Sequence, residues 1–180
     1  MKYLVIDEDG PIRLRTAPRW DVARRDVGPE GWDRVSLPNA AAVYGPEHVT
    51  VAGYVNDCSA LPGSRYARNL VGSCVLASLG AHARPYMGPV LLVGWDPDPH
   101  SADVEIRSLT DEQIAAIRQI HDDVRLVLRL TPGVPSRNAT PAWREAMRAV
   151  AEIVRTGPAP QMTVLTDDDA MAHLFRGARR

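Results

Sequence analysis

Lys2-Tyr3-Leu4-Val5-Ile6-Asp7-Glu8-Asp9-Gly10-Pro11-Ile12-Arg13-Leu14-Arg15-Thr16 is the stretch on which the fold class turns. Residues 2–7 are rich in β-formers, and residues 12–16 alternate apolar with basic side chains. Between them Asp9-Gly10 supplies a dipeptide that tolerates positive φ, the usual chemistry of a tight hairpin turn. An antiparallel hairpin at the start of the chain is therefore predicted. Its two strands need further strands and a helical layer to bury their apolar faces.

Those elements can be read outward from the hairpin. Residues 19–27 fit a short helix burying Trp20, Ala23 and Val27 and ended by Gly28-Pro29. Residues 32–37, with Trp32, Val35 and Leu37 apolar, and residues 48–56, stopped by Asn56-Asp57, fit a third and a fourth strand. Gly45-Pro46 marks the loop between them. Residues 64–79 fit a helix with Ser64 as N-cap, one face carrying Ala67, Leu70, Val71, Cys74, Val75 and Leu79, and Gly80 as its stop. Residues 89–95 are an apolar run suited to a covered strand, ended by the turn Asp96-Pro97-Asp98-Pro99.

Thr110 and Gln113 form a capping box for a helix through Ile114, Ile117 and Ile120. Beyond it, residues 124–130 alternate and predict a strand, and residues 131–139 hold prolines and a glycine and predict a linker. Thr140-Pro141 then opens a helix carrying Trp143, Met147, Val150 and Val154 to Gly157. A last strand over 162–165 and a short helix capped by Thr166 to Asp169 complete the reading. The expected fold is α+β: a mostly antiparallel sheet opened by the hairpin, with helices on one face. Residues 1–122 form the core domain, and residues 123–180 add an α/β strand-helix-strand-helix extension that packs on it.

Composition excludes several classes of function. With 180 residues, 45% of them hydrophobic, the chain can build a core without disulfide staples. A formal net charge of −1 gives neither the basic excess of a nucleic-acid binder nor the acidic excess of a DNA mimic. Cys58 and Cys74 form no CxxC pair, and no apolar run approaches the ~18–20 residues of a membrane span. No charged-then-apolar leader opens the chain, so a cytoplasmic protein is expected. No phosphate-binding glycine loop, nucleophile elbow or zinc-protease motif occurs. His48, His82, His100, His121 and His173 are scattered without ligand spacing, so neither a metal nor a cofactor is expected. Asp96, Asp98 and Asp103 suit a turn, and Asp167 to Asp169 suit a helix N-terminus.

One constellation could carry binding chemistry: Asn56, Asp57, Arg65, Arg68 and Asn69. It follows a strand end, crosses a Leu-Pro-Gly turn and enters the helix expected from Ser64. Arginines beside free helix amides suit a compact anion. The alternative is a turn closed by Asn56 and Asp57 with Arg65 in a surface ion pair. Basic residues also gather at Arg13, Arg15, Arg19, Arg24 and Arg25 and at Arg176, Arg179 and Arg180, arrangements that solvated faces explain equally well.

Tyr54-Val55-Asn56-Asp57, Leu61-Pro62-Gly63-Ser64-Arg65-Tyr66-Ala67, Gly88-Pro89-Val90-Leu91-Leu92-Val93-Gly94 and Ser108-Leu109-Thr110-Asp111-Glu112-Gln113 together resemble a family of small uncharacterised domains carried mainly by phages, plasmids and integrated elements. The family's loop is longer, carries a Gly-Lys pair, and has Asn where Ser64 precedes Arg65 here. The resemblance covers about residues 1–122 and implies no established activity. It implies a non-enzymatic accessory protein of a mobile element, in counter-defence or host takeover, that binds a host protein or a small anionic or nucleotide ligand. A nucleotide-handling enzyme with Asp57 as base and a weak nucleic-acid binder are the alternatives. They differ in what they require: an enzyme needs a concave site with a carboxylate near Arg65. A partner-binding protein needs an exposed apolar patch with an aromatic anchor, and a nucleic-acid binder needs one continuous positive face.

Overall fold

Strand β1 (Lys2–Ile6) turns through Asp9-Gly10 into β2 (Ile12–Thr16), with Ile6 opposite Ile12 and Lys2 opposite Thr16. Gly10 adopts φ 101°, a left-handed conformation that an L side chain rarely takes, and Gly10 N donates to Asp7 O at 2.9 Å. The hairpin is as predicted. The computed structural model describes residues 1–28, 31–38, 50–56, 65–96 and 105–158.

The other strands are β3 (Asp33–Val35), β4 (Thr50–Val55), β5 (Val90–Asp96) and β6 (Glu105–Arg107). They form one open antiparallel sheet in the order β2-β1-β5-β4-β3, with β6 also on β5. Leu4 and Gly53 flank Leu92 of β5 from either side, while Ile106 of β6 pairs with Trp95 further along. β6 thus continues the line of β1, and Leu109 N donates to Lys2 O at 3.0 Å where the two meet. The fold is α+β.

Alternation along the strands divides the apolar residues between two layers. Leu4, Ile6, Val51, Val55, Val90 and Leu92 face one core with α2 (Leu70–Ser78), α3 (Asp111–Val127) and α4 (Pro141–Thr156). Tyr3, Val5, Ala52, Tyr54, Leu91 and Val93 face the other, with Ala23 of α1 (Trp20–Ala23) and Val27, which follows a 310 turn over Arg24–Asp26. The three long helices share one face as expected, and the short one lies opposite. The reason is β5, whose Val90, Leu91, Leu92 and Val93 are all fully buried and need cover on both sides. Gly53 lets α2 approach the sheet: a Cβ there would lie 2.8 Å from a Leu76 methyl.

Three expectations are corrected. The helix expected from Ser64 starts at Leu70, and Asn69, not Ser64, is its N-cap. Residues 65–69 precede the helix instead, with Arg68 bridged to Met87, Asn69 N donating to Tyr86 O at 2.9 Å and Gly88 N to Ala67 O at 2.8 Å. Residues 124–130 are not a strand, because α3 runs on to Val127 and closes at Arg129, whose φ is 58°. Val124 and Val127 continue the buried helical stripe of Ile114 and Ile117, and that packing outweighs the alternation. The division expected at 122/123 therefore falls inside α3, and α4 shares the core of the sheet. β6 is an additional strand, whose three residues are too short for a period to show. The strand over 162–165 and the terminal helix lie outside the described residues.

Other capping signals behave as predicted. Thr110 Oγ1 accepts from Gln113 N, while Gln113 Oε1 accepts from Thr110 N at 2.9 Å. Thr140 Oγ1 accepts from Trp143 N at 3.2 Å to open α4, with Pro141 in the first turn.

The 310 turn is tied to the sheet by Tyr3, whose hydroxyl donates to Asp26 Oδ2 at 2.8 Å. Burial, and then the bond to Asp26, push the Tyr3 hydroxyl up from 10.0 to about 12. Between these values the unfolded chain loses a proton that the folded protein keeps. The Tyr3 contribution is therefore whole below pH 10 and is lost as pH rises toward about 12. The melting temperature is expected to fall across this window, and to fall less steeply in Tyr3→Phe. Buried Cys74, also raised to about 12, acts equally in both proteins. Parallel melting curves for the two proteins would show that Tyr3 makes no such contribution.

Candidate functional site

The constellation anticipated from the sequence is split by the fold. Asn56, 2% exposed at the end of β4, donates through Nδ2 to Val27 O at 3.3 Å and to the Tyr66 hydroxyl at 3.4 Å. Arg65 is exposed; its guanidinium lies 5.3 Å over the Tyr66 ring and donates to the same hydroxyl at 3.4 Å. Asn56 and Arg65 therefore meet at Tyr66. Tyr66 carried no assigned role in the sequence, although it stands inside the Arg65-Tyr66-Ala67 segment. Asp57 lies outside the described residues.

Arg68 and Asn69 point elsewhere. Arg68 Nη1 donates to Val154 O at 2.7 Å and Arg155 O at 2.8 Å, so a cation closes the C-terminal end of α4. Asn69 is fully buried. Its Oδ1 accepts from Gly72 N at 2.7 Å, and its Nδ2 donates to Ile6 O and Gly88 O at 3.0 Å each. The first turn of α2 is buried through Val71, Gly72 and Ser73, and Asn69 takes up the Gly72 amide. That helix end is closed rather than open to solvent.

A different cluster lies on the side of the sheet opposite α2, α3 and α4. Trp20 of α1, Trp32 just before β3 and Tyr54 of β4 pack edge to face and tilted, with centroids 5.5 Å (Trp20–Trp32), 4.6 Å (Trp20–Tyr54) and 5.3 Å (Trp32–Tyr54) apart. Rings this close leave no room for a cation between them, so the group is no aromatic cage. Trp32 stays 38% exposed. Beside it the Arg34 guanidinium lies 4.7 Å over the Trp95 ring. Burial raises the Tyr54 hydroxyl, which the charge of Arg34 partly offsets. The sequence marked Trp20 as buried and Trp32 as an apolar strand position. Trp20 is half-buried and Trp32 exposed, a difference set by tertiary packing that no local pattern encodes.

Electrostatically the chain has mixed faces. Arg13 pairs with Asp7, Arg15 with Asp26 at 3.5 Å, and Arg19 with Asp21 at 3.1 Å, so three of the five arginines of that basic cluster meet a carboxylate. Cavities lined by described residues include one of about 200 Å3 against Arg34 and Trp95 and one of about 230 Å3 between Ile120, Asp123 and Trp143. In the second, the buried Asp123 carboxylate already accepts from Ser136 N at 2.6 Å and Ser136 Oγ at 2.5 Å. Among the described residues no three of His, Cys, Asp and Glu converge as a metal site would need, and no helix is long and apolar enough to cross a membrane.

No family model, no curated protein and no solved structure matches the chain.

Proposed function

We propose that this protein is a non-enzymatic accessory factor of a mobile genetic element that works by docking a host protein on its aromatic face. The observation that carries the docking is Trp32, 38% exposed and seated against Trp20 and Tyr54. Trp and Tyr supply most binding energy where they are held rigid, because little side-chain entropy remains to be lost. The mobile-element origin rests on the resemblance of the segments around Asn56, Ser64 and Thr110.

The other readings have less to stand on. An anion site made by Asn56, Asp57, Arg65, Arg68 and Asn69 loses Arg68 and Asn69 to backbone carbonyls. The nucleotide-handling enzyme rests on Asp57, which lies outside the described residues. Three of the five arginines of the first basic cluster are paired with carboxylates, which gives a continuous positive face less support.

Trp32→Ala is the test, with Val134→Ser as its control at an exposed apolar residue in the connection between α3 and α4. Wild type and both variants would be used to capture partners from host extract, after each is shown to melt normally. A partner held by wild type and Val134→Ser should be lost by Trp32→Ala, since a Trp anchor is worth about 2 kcal/mol or more, roughly thirtyfold in affinity. Equal capture by wild type and Trp32→Ala would rule the aromatic face out as the docking surface.

A further inference from the structure

The side of the sheet that carries Trp32 has a second exposed group of different chemistry. Arg34 stands opposite Tyr54 in the β3–β4 register, and the Trp32 ring lies 5.3 Å from the Tyr54 ring. Trp32 and Arg34 are two residues apart, about 7 Å along an extended chain, and both are exposed. The Arg34 guanidinium lies 4.7 Å over the ring of Trp95, which packs with Tyr54, Leu91 and Val93 on this same side. Trp32 and Arg34 therefore share one surface with Tyr54 between them.

Charge on this side is uneven. Arg15 pairs with Asp26 and Arg19 with Asp21. Arg34, and Arg24 and Arg25 on the exposed side of the 310 turn, meet no carboxylate among the described residues. What the pairs leave over is positive. A long polyanion fits this surface poorly. The Trp32 ring stands edge to face with Trp20 and Tyr54, and Arg34 covers a face of Trp95, so the rings make no open stacking platform for bases. Asp21 and Asp26 also interrupt the positive charge that a phosphate chain would track.

We infer, building on the docking reading, that the partner presents an acidic segment to this face, with a carboxylate for Arg34 beside an apolar side chain for Trp32. Trp and Arg are the residue types that most often dominate protein interfaces. Stacking on Trp95 holds the guanidinium in place, so little side-chain freedom is lost when its planar edge takes a carboxylate.

Random peptides displayed on phage would be selected on the immobilised full chain, and those recovered would be measured by calorimetric titration. They are expected to carry Asp or Glu near a large apolar residue, and to bind less tightly as salt rises. Arg34→Glu and Trp32→Ala, each first shown to melt normally, should each bind them about tenfold more weakly or worse. Replacing the acid of the peptide by Lys should restore binding to Arg34→Glu, a rescue that a merely structural effect would not give. The inference fails if no peptide is recovered, if those recovered lack acids, or if Arg34→Glu binds them like wild type. Displacement of the peptides by oligo(dT) at equal concentration would overturn it in favour of a nucleic-acid surface. Loss of binding in Trp32→Ala alone would leave the docking face standing and remove only its acidic partner. Binding that needs Arg34 but survives Trp32→Ala would overturn the docking reading and the shared surface inferred from it.

Discussion

Ile117→Asp is expected to leave the protein largely unfolded at room temperature. Ile117 sits mid-way along α3, fully buried in the core between the sheet, α2 and α4. Removing the aliphatic side chain alone costs about 2–5 kcal/mol, from lost burial and the cavity left behind. The new carboxylate would have to stay charged without a partner, take up a proton, or pull α3 off the sheet, and each route costs several kcal/mol more. Together these approach the ~5–15 kcal/mol that holds a typical domain folded. Ile117→Val is the measure of scale, expected to cost only about 0.5–1.5 kcal/mol. Arg118→Gln, one residue along on the exposed face, should stay within about 0.5 kcal/mol of wild type. Urea unfolding followed by circular dichroism separates the three. An Ile117→Asp protein as stable as wild type would mean that the inner face of α3 does not form the core.

That stripe also shows where sequence reasoning reaches its limit. The hairpin, the Thr110–Gln113 box and the Thr140-Pro141 start are local signals, set by residues that touch one another along the chain. They were legible because their physics is local. The end of α3 was not. Its buried face reads Ile114, Ile117, His121, Val124, and a histidine in that position breaks the apolar period that would have announced the helix. His121 is tolerated because its Nε2–H donates to Gly10 O at 2.8 Å, across the hairpin turn. Asp123 is tolerated because Ser136 donates to it twice. Both partners are distant in sequence, so the burial of these polar groups cannot be inferred from their neighbours.

The candidate site divides in the same way. Asn56 and Asn69 stood out as members of a strand-to-helix constellation suited to an anion, and both prove to be buried and hydrogen-bonded within the fold. What each binds is set by tertiary structure: Arg68 reaches carbonyls 86 and 87 residues away. An arginine selected for its place beside a helix start thus closes the end of a different helix. The aromatic face was hidden for the converse reason. Trp20, Trp32 and Tyr54 come from three separate elements, and their spacing in the chain carries no hint that they meet.

Asn69→Asp is expected to destabilise the protein by several kcal/mol, and by more than Asn69→Ala. This ordering follows from the direction of each bond. Oδ1 accepts from Gly72 N as an N-cap, while Nδ2 donates to Ile6 O in β1 and to Gly88 O before β5. One side chain thereby fastens α2 to two segments of the sheet layer. Gly72 is part of the arrangement, since a Cβ at that position would lie 2.7 Å from the Asn69 amide carbon. Alanine removes the cap, worth about 0.5–2 kcal/mol, and strips a donor from two carbonyls in a fully buried setting, at about 1–3 kcal/mol for a buried group left unpaired. Aspartate preserves the cap acceptor, and at an exposed helix start it would be harmless. Here its second oxygen would replace the NH2 group and face two carbonyl oxygens, so a buried negative charge would meet acceptors where donors are needed. Asn69→Ser, which retains a cap acceptor without adding charge, should fall between wild type and Asn69→Asp. Chemical denaturation of the three variants gives the order directly. If Asn69→Asp proves as stable as wild type, Nδ2 makes no useful bonds and Asn69 is only a cap. If Asn69→Ala is the least stable, the cap outweighs the two sheet contacts, and α2 is held by its first turn rather than by its bonds to Ile6 and Gly88.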